Sequence, residues 1–243
     1  MNLRPLAAGL VASVLGSTNA YSQTPKLFDS LPGKPNVRVI GSTETQKRII
    51  HLRQIHEDPC SVSGACEKLK IYRSQGELEL IYDALVKRGV SRTLLDEGMT
   101  EEYMEDGKTS IAEHQLLHNT QKTMARRDDA DFLKQYNPFD LRIFHGEVPI
   151  APADSLVPYE MVMQARETGN RREFTRLQKE REDATIAIAA ESNNSMLRYG
   201  AGHRFDRALN QYTARNPNSK AYIVEITPRS LLGKPCGANI NRP

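Results

Sequence analysis

Tryptophan is missing from this chain, and phenylalanine occurs only six times in 243 residues. So few large rings leave little to line the pocket of a flat cofactor such as a porphyrin. No run beyond the N-terminus is apolar enough to cross a membrane, which takes roughly 20 such residues. Neither sign of charge dominates, with 33 Lys and Arg against 30 Asp and Glu. That balance carries no electrostatic footprint for nucleic acid. The pairs Arg126-Arg127 and Arg171-Arg172 lie among acids and Gln or Phe, and read as solvated helix faces. No segment repeats at a fixed period, and none is of low complexity.

Residues 1–20 differ from everything after them. Arg4 is their only charge, Leu6 to Leu15 form a short apolar core, and small residues follow. This is the pattern of a secretory signal peptide, with cleavage expected after Ala20 or Ser22. The product is expected to be a soluble secreted or periplasmic protein. Residues 21–243 suit a single α/β domain, with a polar lead over 21–36 that wraps the surface before the fold begins. In an exporting context the three cysteines invite arithmetic. Cys60 and Cys66 enclose Ser61-Val62-Ser63-Gly64-Ala65, a turn-forming stretch that would let their sulfurs meet. A bridge there would stabilise by on the order of 2 kcal/mol in the chain-entropy view, and Cys236 is left over.

Hydrophobic periodicity predicts strands over Val37–Ile40, Lys47–Gln54, Val90–Asp96, Leu141–His145 and Ala221–Ile226. Helical spacing runs through Leu78, Ile81, Tyr82, Leu85 and Val86, so a helix is predicted over Gln75–Arg88 with Gly89 at its end. Further helices are predicted over Thr109–Tyr136, over Glu160–Ala190 with a bend near Gly169-Asn170, and over Phe205–Thr213. Val148–Val157 reads as loop, and Asn193–Tyr199 leads into Gly200-Ala201-Gly202. Strand, helix, strand from Lys47 to Asp96 reads as a βαβ unit. The expected fold is therefore α/β, a central mixed and largely parallel sheet flanked by helices.

In such folds ligands bind beyond the carboxyl ends of the strands. His56, Glu97 and His203 each stand where a predicted strand runs into a loop, and so are the candidate catalytic set. Two imidazoles and a carboxylate converging there could activate a water or hold a metal. Adjacent acids at a strand end point to opposite sides, so Asp96 and Glu97 cannot both face the site. Arg53, Glu57, Asp58 and His145 are candidates for substrate contact or charge stabilisation. Arg181 reads either as a solvated helix charge or as a clamp for an anion. Glu113-His114-Gln115-Leu116-Leu117-His118 imitates a zinc-protease helix, but Gln115 occupies the place of the required Glu.

With these residues in view, the chain resembles the superfamily that groups TraB and Tiki proteins, ChaN haem-binding lipoproteins and erythromycin-esterase-like enzymes. Gln54-Ile55-His56-Glu57-Asp58-Pro59 is similar to the motif after the family's first core strand. Leu95-Asp96-Glu97-Gly98 is similar to its strand-end Glu, and Gly200-Ala201-Gly202-His203 to its late G-x-G-H. The likeness covers about Lys47 to Pro228. Arg53 and Gln54 depart from it, standing where the family usually has Gly and, in two branches, Glu.

The resemblance implies a hydrolase acting on an ester or peptide-type bond of a small-molecule or peptide substrate. In a metal-free version His56 is the base, Glu97 orients water and His203 stabilises developing charge. In a metal version the same three residues bind a divalent Zn, Mn or Co ion. The alternatives are a ChaN-like protein that binds haem or another small ligand without turnover, and a catalytically dead partner-binding protein. The cation of Arg53 beside His56 tilts the expectation toward the metal-free hydrolase.

Overall fold

A computed structural model describes residues 26–44, 47–54, 65–101, 139, 142–143, 146–192 and 195–232. Six strands form one sheet: β1 (Asn36–Ile40), β2 (Lys47–Gln54), β3 (Leu94–Asp96), β4 (Ile150–Pro152), β5 (Ser195–Gly200) and β6 (Ala221–Thr227). Their order is β1-β6-β2-β5-β3-β4. Only the edge strand β1 runs antiparallel, against β6. The remaining pairs are parallel. Strands in such a sheet are covered on both faces and read as continuous buried runs. Accordingly, every residue of β3, β5 and β6 is buried. The chain is thus an α/β protein with a mixed, mostly parallel sheet.

Among the described residues the helices α1 (Ala65–Lys87), α2 (Leu156–Glu167), α3 (Arg171–Glu191) and α4 (Asp206–Arg215) flank it. On one face Ile50, Leu52, Leu94, Met196, Val224 and Ile226 pack against Leu78, Ile81, Tyr82 and Leu85 of α1. On the other, Ile49, Leu95, Leu197, Tyr199 and Ile223 meet Ile186, Ala189 and Ala190 of α3 and Ala208 and Leu209 of α4. The alternation along each strand sends successive side chains to these two cores. Among the described residues no helix is long and apolar enough to cross a membrane.

Several expectations are corrected. The lead is not merely a surface wrap, because Phe28 and Leu31 are buried in the α1-side core. Arg88 ties this segment down by donating to the carbonyls of Leu27 and Asp29 at 2.6 and 2.8 Å. Helix α1 begins ten residues before the predicted Gln75, since its polar N-terminal half lacks the apolar stripe that the periodicity followed. Strand β3 is confined to Leu94–Asp96, with turn and coil over 88–93.

The strand expected over Leu141–His145 is absent from the residues described there: Phe139, Arg142 and Ile143 are helical. The reason is spacing, for Phe139 and Ile143 lie four apart and both enter the core. The fourth strand is instead Ile150–Pro152, within the stretch expected to be loop; proline is tolerated because β4 is an edge. The long helix from Glu160 is two helices, α2 and α3. Gly169 at φ +69° ends the first turn of the break, and the Asn170 side chain accepts from the Glu173 N–H at 3.2 Å to start α3. Strands β2 and β3 are parallel but not neighbours, since β5 lies between them. The expected helix over Thr109–Tyr136 lies outside the described residues.

Candidate functional site

The order β2-β5-β3 brings the carboxyl ends of three strands side by side. Gln54 of β2 registers with Gly200 of β5, and Asp96 of β3 with Arg198 of β5. Alternation then divides the two acids at the end of β3. Asp96 turns to the α1 face, where Arg198 holds it by paired hydrogen bonds of 2.6 and 2.7 Å. Glu97 turns to the α3 and α4 face. Its Oε2 accepts from the Gly200 N–H at 2.7 Å, and its Oε1 lies 3.1 Å from Arg181 Nη2 and 3.3 Å from His203 Nε2. Glu97 and His203, 106 positions apart in sequence, therefore meet.

Arg181 is not a solvated charge. It projects from α3 into the protein, its side chain 6% exposed. Its Nε and Nη2 donate to Asp154 at 2.8 and 2.7 Å, while its guanidinium lies 5.0 Å from the Tyr159 ring centre and 5.1 Å from that of Tyr199. Asp154 is the anchor of this assembly. It also accepts from the Tyr199 hydroxyl at 2.7 Å and from the Gly98 N–H at 2.6 Å. Gly98 supplies that N–H from φ +82°, a conformation costly for other residues. Burial, followed by the charges of Asp154 and Glu97, raises the Tyr199 pKa well above that of a free phenol, so the hydroxyl remains a neutral donor.

His203 sits edge-on to the Tyr199 ring at 4.5 Å and stacks on Phe205 at 6.1 Å. Its Nδ1 lies 3.2 Å from Glu182 Oε1. Burial favours the neutral ring, but the hydrogen bonds to Glu182 and Glu97 outweigh it and push the His203 pKa up to about 9. At neutral pH the ring is an imidazolium that donates from both nitrogens. The Gln178 Nε2 lies 3.0 Å from the same Nδ1.

Of the candidate set, the structure unites Glu97 and His203, with Arg181 as the clamp between Glu97 and Asp154. Arg53 reaches the same turn, donating to the Ala201 carbonyl. His56, Glu57, Asp58, His145, His114, His118, Cys60 and the Cys60–Cys66 pairing lie outside the described residues. Asp154, Glu182, Gln178 and Tyr199 were not singled out by sequence. The available signal was an acid two residues past a strand, Asp154 after Pro152-Ala153, hidden because that strand read as loop.

A divalent ion does not fit this arrangement of Glu97 and His203. Both Glu97 oxygens already accept hydrogen bonds, and the Arg181 guanidinium stands against the same carboxylate. Among the described residues no group of three or more His, Cys, Asp or Glu is placed to hold a metal. Nor do His203 and Tyr199 offer an uncommitted atom as a haem axial ligand. Compared with protein-family models, with curated proteins and with solved structures, the chain matches none.

Proposed function

We propose that the chain is an exported hydrolase of ester or peptide-type bonds that works without a metal, similar to the erythromycin-esterase-like branch of the superfamily it resembles. The observation that carries this reading is the contact of 3.3 Å between Glu97 and a His203 whose pKa is pushed up to about 9. A histidine held as a cation is a poor base but a good partner for negative charge developing on oxygen. His56 is then the base that draws a proton from water. The water oxygen bonds to the carbonyl carbon, the C=O π electrons move onto oxygen, and the resulting oxyanion faces the His203 imidazolium. Collapse expels the alkoxide or amine, which takes the proton that His56 had accepted. Glu97, braced by Arg181 and the Gly200 N–H, orients His203 and the water.

The test is turnover of a panel of p-nitrophenyl esters and fluorogenic peptides. His56→Ala, Glu97→Gln and His203→Gln are each expected to reduce turnover by on the order of 10²–10³, and the triple variant little more than one alone. His114→Ala and His118→Ala should match the parent chain. Absence of turnover across the panel, or full activity in His203→Gln, overturns the proposal.

One observation favours a second reading, a ligand-binding or partner-binding protein without turnover. Both oxygens of Glu97 and both ring nitrogens of His203 already have partners inside the protein. Under that reading the cluster holds the strand ends together and the three substitutions change stability alone.

A further inference from the structure

Arg53 is the residue at this site whose charge is least spoken for. It stands one position before the end of β2 and registers with Tyr199 of β5, so by parallel pairing both side chains share the face that carries His203. Its guanidinium donates from Nη2 to the Ala201 carbonyl and from Nη1 to Thr227 Oγ1 at 3.4 Å. Both acceptors are neutral. Its Nε–H is buried and meets no acceptor among the described residues. A buried donor left unmatched costs about 1–3 kcal/mol, more on a charged group, and native proteins rarely keep one without a use.

Four other arginines of the sheet and its helices are matched by carboxylates. Arg181 has Asp154 and Glu97, Arg198 has Asp96, Arg38 has Asp206 and Glu225, and Arg207 has Asp183 and Glu182. Arg53 forms no ion pair with a carboxylate among the described residues. Glu225, two residues before Thr227, feels its field, but is engaged by Arg38 at 3.4 Å and faces His51 at 3.6 Å. Arg53 and His203 are moreover joined by one turn. Arg53 holds the carbonyl of Ala201, and the His203 N–H closes the turn onto the Gly200 carbonyl at 3.1 Å.

We propose that Arg53 is an anion-recognition residue, binding a carboxylate or phosphate group of the substrate at the carboxyl end of β2 beside Glu97 and His203. A planar guanidinium whose present acceptors are both neutral suits the two-oxygen edge of such a group. The substrate class is then an anionic ester or amide, with the scissile carbonyl toward His203 and the anion toward Arg53. Naming that anion a substrate group rests on the hydrolase reading; the binding site itself does not.

The experiment is the thermal midpoint of the full chain against inorganic phosphate and against succinate, with chloride at matched ionic strength as the reference. A ligand that binds only the folded state raises the midpoint as its concentration passes Kd. At least one of the two anions should give a saturable rise that chloride does not, and which of them does so distinguishes phosphate from carboxylate. Arg53→Gln should weaken the apparent affinity by about tenfold or more. Arg53→Lys, which keeps the charge and loses the Nε–H, should fall between, and Arg172→Gln on the exposed start of α3 should match the parent. No saturable response to either anion, or an undiminished response in Arg53→Lys and Arg53→Gln, overturns the proposal. If Arg53→Gln does not fold, the comparison of Arg53→Lys with the parent decides. Because no turnover is measured, an anion response in a chain that hydrolyses nothing would remove the hydrolase reading alone.

Discussion

Asp96 and Glu97 follow one another along the chain, yet the sheet sends them to opposite faces and into different surroundings. Asp96 meets Arg198 in a bidentate pair, the two side chains 1% and 4% exposed, with the guanidinium 5.7 Å from the Phe139 ring centre. Glu97 meets a branched group in which Arg181, His203, Glu182 and Asp154 share partners, and Glu97, Glu182 and His203 keep 10–14% of their side chains open. Both clusters neutralise buried charge. The Asp96–Arg198 pair is almost wholly buried, whereas the branched group leaves its imidazole partly exposed. What separates a structural ion pair from a candidate site here is partial access and a shared carboxylate, not residue type.

The largest expected effect comes from removing one side of a buried pair, which strands its partner's charge. Arg198→Ala should destabilise by about 3–5 kcal/mol in urea titration. Replacing both partners, Asp96→Leu with Arg198→Met, should recover most of that loss. Asp154→Ala should cost a similar amount, since it removes one of the two carboxylates of Arg181 and the acceptor of the Tyr199 hydroxyl together. The two clusters then part on activity: normalised to folded protein, Arg198→Ala should leave turnover near the parent while Asp154→Ala lowers it. Equal losses of turnover would erase the contrast between the faces.

Next in size is the pH dependence carried by His203. Its pKa lies near 9 in the folded chain against an ordinary 6.5, so its stabilising contribution is fully present below about pH 6.5. It is lost as pH rises through about 9 and amounts to on the order of 3 kcal/mol. Urea midpoints measured from pH 6 to 9.5 should fall in the parent and stay flatter in His203→Gln. Parallel curves would mean that the ring is not held as a cation.

The smallest effect belongs to the exposed end of the same helix. Arg176 bridges Glu173 and Glu180 at 2.5 Å each, one turn and a half before the buried Arg181. Arg176→Ala should leave the urea midpoint unchanged within error, because side-chain entropy and solvent screening offset exposed pairs. A loss approaching that of Asp154→Ala would show that burial is not the deciding variable.

Hydrophobic pattern alone located β2 over Lys47–Gln54 to the residue and β6 to within one, because each carries β-branched and apolar residues that are buried on both faces of the sheet. It likewise pointed to Glu97 and His203, since strand ends in an α/β chain are where side chains can converge. Strand β4 was hidden: three residues ending in proline carry too little periodicity to register. With it went Asp154, the carboxylate to which Arg181, Tyr199 and Gly98 all donate. The role of Arg181 stayed ambiguous for the same reason, as helical spacing does not say what faces a charge.

Local sequence therefore determined the alternation of strands and helices, the two-sided burial of the central strands and the acids and imidazole placed at their ends. Each of these depends on neighbours a few residues away. The strand order was decided only in three dimensions, for nothing within β2, α1 and β3 announces that β5 will come between them. That insertion sets Gly200 against Glu97, brings His203 within 3.3 Å of it and aligns Arg53 with Tyr199. The ionisation of His203 was decided there as well, because it follows from two carboxylates contributed by β3 and α3 rather than from any residue beside it in the chain.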